Sequence, residues 1–191
     1  MLKADIRRTF LARRRALSET EVQRRSALLS QQFFSNFPVD NWRWLHVFLP
    51  IAKQHEPDTW LIIHRIWAEF PQVQLAVPVM QADGHTLRHY QLTHDTPLAT
   101  NRWGIPEPVE AEEMPPTVFD AVLVPLLACD EAGHRVGYGK GFYDRFLAQC
   151  RPEIQRIGLS LEPPITQIAD VDSTDQPLTA CITPEQVFRF R

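Results

Sequence analysis

The chain has 191 residues, 44% hydrophobic and 23% charged, with a formal net charge of −3. That length suits one domain, 1–191, with a sizeable core, and the acidic balance argues against nucleic acid as a partner, which calls for a strongly basic domain. Three widely spaced cysteines read as reduced thiols of a cytoplasmic protein, not as a disulfide frame or zinc site, and the lack of a signal-peptide core or membrane-length apolar run predicts no membrane partner.

Lys3 to Leu17 has the spacing of an amphipathic helix, with Ile6, Phe10 and Leu17 near one face. Lys3, Arg7 and Arg14 fall within roughly 40° of one another on another face, at about 100° per residue. Eight of the chain's 20 Lys and Arg lie between Lys3 and Arg25, so positive charge is concentrated there. On charge pattern alone this is a solvated basic face. A phosphate clamp competes with it, because guanidinium and ammonium groups suit a triphosphate. Ser18-Glu19-Thr20-Glu21 is a capping box and predicts a second helix to about Phe34.

Trp44 to Pro50 reads as the first central strand. The segment Ile51 to Asp58 leaves its C-terminal end, where open α/β sheets place ligands. Taken alone, Glu56 reads equally as a solvated loop carboxylate or a ligand contact, and His55 reads as surface. Asp58-Thr59 predicts a capped helix from Trp60 to Glu69. Gln74 to Pro78 is a second buried strand, and Asp83-Gly84 a turn between 79–81 and 87–92. His85, His89 and His94 read as exposed, with no cysteine or carboxylate at metal-ligand spacing.

Asn101 to Pro108 is a rigid loop in which Trp103, taken alone, covers the core. Residues 109–117 read as an acidic, proline-bearing linker, 119–125 as a buried strand, and 155–160 as a third central strand. Asp170, Asp172 and Asp175 form an acidic loop, and 187–190 an edge strand. Strong strands alternating with helices predict an α/β fold with a mainly parallel sheet and one antiparallel hairpin.

Between the strand at 119–125 and a helix predicted from Phe142 to Cys150 lies Gly133 to Arg145, GHRVGYGKGFYDR. Four of the chain's seven glycines fall in nine positions here. Such clustering lets a backbone approach a ligand closely, and strand, glycine loop and helix together present N–H groups to an anion. It is neither a P-loop, since Lys140 precedes Gly141-Phe142, nor a dinucleotide fingerprint, since the glycines alternate at 137, 139 and 141. Arg135 and Lys140 add positive charge, and Asp144 is a hard oxygen ligand suited to magnesium.

Arg135 to Arg145 resembles the signature of the 5-formyltetrahydrofolate cyclo-ligase family, roughly Gly-x-Arg-Leu-Gly-x-Gly-x-Gly-Tyr-Tyr-Asp. Val136 and Phe142 are conservative departures. The resemblance runs from Lys3 to about Thr183 and implies a Rossmann-like three-layer α/β/α domain with ATP and folate in adjacent clefts. It implies that Lys3, Ala4, Asp5, Ile6 and Arg7 contact ATP, with Arg135, Val136, Gly137, Tyr138, Gly139, Lys140, Gly141, Phe142 and Tyr143. It places Ile51, Glu56 and Trp103 with Tyr138 to Phe142 around the folate. Asp144 and Asp175 are implied magnesium ligands, with Asp170 and Asp172 near enough to share that role. Lys140 and Arg135 are the implied catalytic charges.

The implied reaction is ATP- and Mg2+-dependent cyclisation of 5-formyltetrahydrofolate, with or without a polyglutamate tail, to 5,10-methenyltetrahydrofolate by a monomeric enzyme. Two rivals stand beside it. A related ATP-dependent kinase or ligase would keep the phosphate and metal residues without Glu56 and Trp103. A ligand-binding or regulatory relative without turnover should show damage at Lys140, Asp144 or Glu56, and all three are intact. An RNA-binding module through the basic helix is disfavoured by the net negative charge.

Overall fold

A computed structural model describes residues 1–101 and 104–190. The first helix, α1, spans Lys3–Ala16. Leu2 at its N-cap offers no side-chain acceptor, and the Lys3 amide instead donates to Asp170 at 2.7 Å, from 167 residues away. The second, α2, spans Glu19–Asn36, and the Glu21 amide donates to the Ser18 hydroxyl as the capping sequence predicts. The return half of the capping box is not made, because Glu21 pairs with Arg24 and Arg25. In α3, Trp60–Glu69, the first amide is capped by Asp58, while the Thr59 hydroxyl donates to the Phe48 carbonyl.

Strand β1 spans Trp44–His46, shorter than the predicted 44–50, and β2 spans Gln74–Met80. β2 turns through Asp83-Gly84 into β3, Leu87–Leu92. Two short strands, β4 (Leu98–Thr100) and β5 (Pro106–Pro108), form a separate hairpin that the sequence reading did not contain. β6 spans Ala121–Pro125, starting two residues later than predicted. A second small hairpin follows, β7 (Ala128–Cys129) with β8 (Arg135–Val136). Then come α4 (Phe142–Leu147), β9 (Gln155–Leu159), β10 (Ala180–Ile182) and β11 (Val187–Arg189). Helix α4 stops three residues before the predicted Cys150. The amides of Gln149 and Cys150 turn back to carbonyls three residues earlier, and Pro152 disfavours helical geometry at Arg151.

The main sheet has seven strands in the order β11-β10-β9-β6-β1-β2-β3. The inner pairs β2-β1, β1-β6, β6-β9 and β9-β10 are parallel, and β3 and β11 are antiparallel edges. Alternation along the strands sorts side chains to two faces. Leu45, Leu75, Leu123 and Ile157 pack with Leu29 and Phe33 of α2 and Ile62 and Ile66 of α3. Val122, Val124 and Ala76 face the other way, onto Phe146 and Leu147 of α4. The result is the expected three-layer α/β/α arrangement. Ile6 and Phe10 of α1 close a third cluster with Leu127, Ala128 and Val136, so α1 lies against the β7–β8 hairpin. That contact positions the site, because β8 leads directly into the glycine loop.

Candidate active site

The glycine loop, 137–141, joins β8 to α4 and is bent through left-handed backbone at Gly139 (φ 89°) and Gly141 (φ 68°). L-residues pay a steric cost there that glycine does not. A Cβ at position 139 would lie 3.1 Å from the Arg7 guanidinium, and Arg7 Nε donates to the Gly137 carbonyl at 3.0 Å. The cation of α1 therefore sits against the loop's backbone. Arg145 of α4 donates to the Lys140 carbonyl at 2.9 Å and to the His85 carbonyl at 2.6 Å, tying the loop to the β2–β3 turn. Lys140 itself is exposed, and its ammonium has no partner among the described residues.

The two expected metal carboxylates sit on either side of one backbone step. Asp144 accepts from the Gln176 amide at 3.1 Å and from Arg135 Nη2 at 2.8 Å. Asp175, the preceding residue, accepts from Lys3 Nζ at 2.5 Å and from the Asp172 amide at 2.8 Å. Arg135 is buried and also donates to the Gln176 carbonyl. Two cations expected at phosphate thus pair with the two carboxylates expected at magnesium. Asp170 and Asp172 are turned to other tasks: Asp170 caps α1, and Asp172 accepts from the amide and hydroxyl of Thr174. Among the described residues no group of three or more His, Cys, Asp or Glu side chains stands at metal-binding distance. Two carboxylates fit Mg2+ all the same, since that ion keeps waters and takes substrate phosphates to complete its shell.

Not every residue expected at ATP presents a side chain. Ile6 and Val136 are core residues, and Asp5 pairs with Arg8 at 2.6 Å. Ala4 is exposed, and the Tyr143 hydroxyl is buried with no hydrogen-bond partner among the described residues.

Among the residues expected at the folate, Glu56 is 5% exposed. Its Oε2 accepts from the Ile51 amide at 2.8 Å and its Oε1 from the Tyr138 hydroxyl at 2.6 Å. Burial raises its carboxyl above the usual range, against the pull of Tyr138, the Ile51 amide and Arg14. A short 3-10 turn at Ala52–Gln54 and left-handed backbone at His55 (φ 50°) carry the chain from Ile51 to Glu56. Lys53 is exposed, while Gln54 and His55 are half-buried against the end of α1, where they meet Arg15 and the Arg14 carbonyl. Trp103 lies outside the described residues. A cleft of about 550 Å³ beside Met80, Tyr90, Val109 and Glu110 contains none of the expected site residues.

Two features escaped sequence reasoning. Arg14, placed with Lys3 and Arg7 on a basic face, is 6% exposed and donates to the Leu126 carbonyl at 3.2 Å and to the Tyr138 hydroxyl. The signal was its phase: Ile6, Phe10 and Arg14 recur every four residues on the buried stripe. The second is a correction. His89, expected to be exposed, is 3% exposed, with Nδ1 3.0 Å from Nε2 of fully buried His46. The pair lies among Phe119 and Phe146, under α4. Burial lowers His46 well below the ordinary imidazole range and His89 to about 4. A hairpin turn at 83–84 suggested solvent, but the alternation of β3 turns His89 inward.

Comparison with known proteins identifies the family to which this chain belongs. The 5-formyltetrahydrofolate cyclo-ligase family model matches residues 1–184. A 5-formyltetrahydrofolate cyclo-ligase from Escherichia coli K12 is 30% identical over 181 residues, 93% of this chain and 98% of that relative. One from Mus musculus is 31% identical over 156 residues, 78% of this chain and 74% of that relative. The NMR structure of Aquifex aeolicus 5,10-methenyltetrahydrofolate synthetase superposes with a TM-score of 0.83 at 28% identity, covering 100% of this chain and 94% of that one. With the family match spanning nearly the whole sequence, the chain belongs to the 5-formyltetrahydrofolate cyclo-ligase family.

Proposed function

We propose that the chain catalyses ATP- and Mg2+-dependent cyclisation of 5-formyltetrahydrofolate to 5,10-methenyltetrahydrofolate, with release of ADP and phosphate. The observation that carries this reading is the convergence of α1, the glycine loop and the 51–56 loop. Arg7 packs on the loop that bears Lys140, and that loop's Tyr138 bonds Glu56. A phosphate-binding surface and a buried carboxylate are thereby joined through one loop.

The chemical problem is a formamide oxygen, which is a poor leaving group. In the proposed reaction that oxygen attacks the γ-phosphorus of ATP, forming an O–P bond as the bond to ADP breaks. N10 of the folate then attacks the activated carbon and loses its proton. The C–O bond breaks, and phosphate departs with the former formyl oxygen. The protein's task is alignment and charge neutralisation, with no covalent nucleophile. Lys3, Arg7, Arg135 and Lys140 supply positive charge to the phosphates, and Gly137 to Gly141 supply backbone donors. Asp144 and Asp175 would hold Mg2+, which neutralises phosphate charge when bound. Glu56 accepts from N–H groups of the reduced pterin, while Ile51, Tyr138 and Phe142 shape its pocket. Binding of substrate requires Lys3 and Arg135 to shift from carboxylate toward phosphate, a trade of one anion for another.

The same reading makes the enzyme a cytoplasmic monomer. No helix among the described residues is long and apolar enough to cross a membrane. The test is a spectrophotometric assay of the purified chain with 5-formyltetrahydrofolate, Mg2+ and ATP, following absorbance of the methenyl product, with an ATP-free control. ATP-dependent product formation is expected. Absence of product from folded protein that binds nucleotide would overturn the reading and favour another small substrate.

A further inference from the structure

Arg14 is a charged side chain with almost no access to water, yet among the described residues no carboxylate pairs with it directly. Burying an unpaired guanidinium is costly, so its partners are informative. One Nη donates to the Leu126 carbonyl, just past β6, and the other to the Tyr138 hydroxyl. The guanidinium carbon lies 5.5 Å from the Tyr138 ring centroid, within cation–π range. A guanidinium has no acceptor, and a phenol has one proton. The Tyr138 oxygen must therefore accept from Arg14, which leaves its proton for Glu56 Oε1 at 2.6 Å. The end of α1 holds the 51–56 loop by two more links. The Arg14 carbonyl lies 3.2 Å from His55 Nδ1, and Arg15 donates to Gln54 at 3.1 Å.

We propose that Arg14 is a positioning residue for the folate side of the site: it orients the Tyr138 hydroxyl toward Glu56 and supplies the buried positive charge that keeps this carboxylate ready to accept pterin N–H groups. The proposal rests on the folate reading of Glu56. In this arrangement Tyr138 belongs to both clefts, so Arg14 sets the geometry of the glycine loop and the 51–56 loop together. Its charge acts on Glu56 alongside three other groups. These are the Tyr138 hydroxyl, the Ile51 amide and the Tyr143 phenol of α4, which burial and Glu56 both raise.

The test uses the full chain and the variants Arg14→Gln and Arg14→Lys, with side-chain-labelled glutamate observed by carbon NMR and Glu56→Gln for assignment. In Arg14→Gln the Glu56 midpoint should rise by about one pH unit or more, and Arg14→Lys should keep most of the wild-type value. In the spectrophotometric assay Arg14→Gln should raise KM for 5-formyltetrahydrofolate about tenfold, with KM for ATP changed less than about twofold. An unmoved Glu56 midpoint, or a moved midpoint with an unmoved folate KM, would overturn the proposal. If Arg14→Gln does not fold, Tyr138→Phe breaks the same relay and should also raise the Glu56 midpoint; no rise would count equally against it. A wild-type chain without turnover of 5-formyltetrahydrofolate would remove the functional reading, while the midpoints would still judge the link from Arg14 to Glu56.

Discussion

Asp144 shows how one side chain is asked to do two things. The sequence suggests a metal ligand. In the structure the same carboxylate accepts from the Gln176 amide and neutralises Arg135, whose side chain is 6% exposed. Asp144→Asn keeps an acceptor for the amide but strands a buried cation. Turnover should fall by about two orders of magnitude or more, as with loss of a group acting on transition-state charge. Stability should fall by about 1–3 kcal/mol, the cost of leaving a buried polar group poorly matched. Steady-state rates across a Mg2+ titration and urea unfolding test the two parts; a wild-type rate at limiting Mg2+ would remove the metal assignment. Lys140 is the opposite case. Its ammonium is exposed and has no partner among the described residues, so Lys140→Ala should alter stability by less than about 0.5 kcal/mol. The rate should nonetheless drop, and an unchanged kcat would make Lys140 a bystander of the loop.

Among the elements, helices were the most legible in the sequence. The Ser18 cap and the Asp58-Thr59 pair marked two helix starts, because capping depends on local donors and acceptors. The end of α4 was less legible, because a terminating turn and a downstream proline compete with an apolar stripe that continues to Cys150. β3 concealed the buried His46–His89 pair, since nothing local distinguishes an inward histidine from an outward one. That pair makes a pH prediction. With folded-state affinities for protons below the unfolded value, the unfolded chain binds more protons between about pH 4 and 6.5, so stability rises with pH across that window. It should be complete above pH 6.5 and decline on acidification by up to about 1.4 kcal/mol per pH unit for each proton taken up. Glu56, whose pKa is raised, pulls the other way: its contribution is largest at low pH and is lost as pH rises. Comparing urea midpoints of wild type and His89→Gln from pH 7 to pH 4 isolates the histidine term. Equal slopes in the two proteins would show that the pair does not govern acid stability.

At the scale of the whole molecule, the site is assembled from segments far apart in sequence: Lys3 meets Asp175, Arg7 meets Gly137, and Glu56 meets Tyr138. Ligands that bind across such junctions should stabilise the entire fold. ATP with Mg2+ at 100 times its Kd should add about 2.7 kcal/mol, a rise in Tm of roughly 5–10 °C for a chain of this size. Chelating the metal should remove much of that rise if Asp144 and Asp175 hold it, and thermal unfolding with and without chelator reads this directly; an identical shift in both would argue for metal-independent binding. The glycine loop, the central strands and the mostly parallel sheet could be read from the chain because they depend on local backbone freedom, on apolar runs and on the alternation of strands with helices. The resemblance to a family added the ATP and folate assignments. The pairing of Arg135 with Asp144, the link from Arg14 through Tyr138 to Glu56 and the contact between His46 and His89 could not be read that way. Each depends on which side chains the packed layers bring together and shut off from water, and charge pattern along a chain carries no record of distance across a fold.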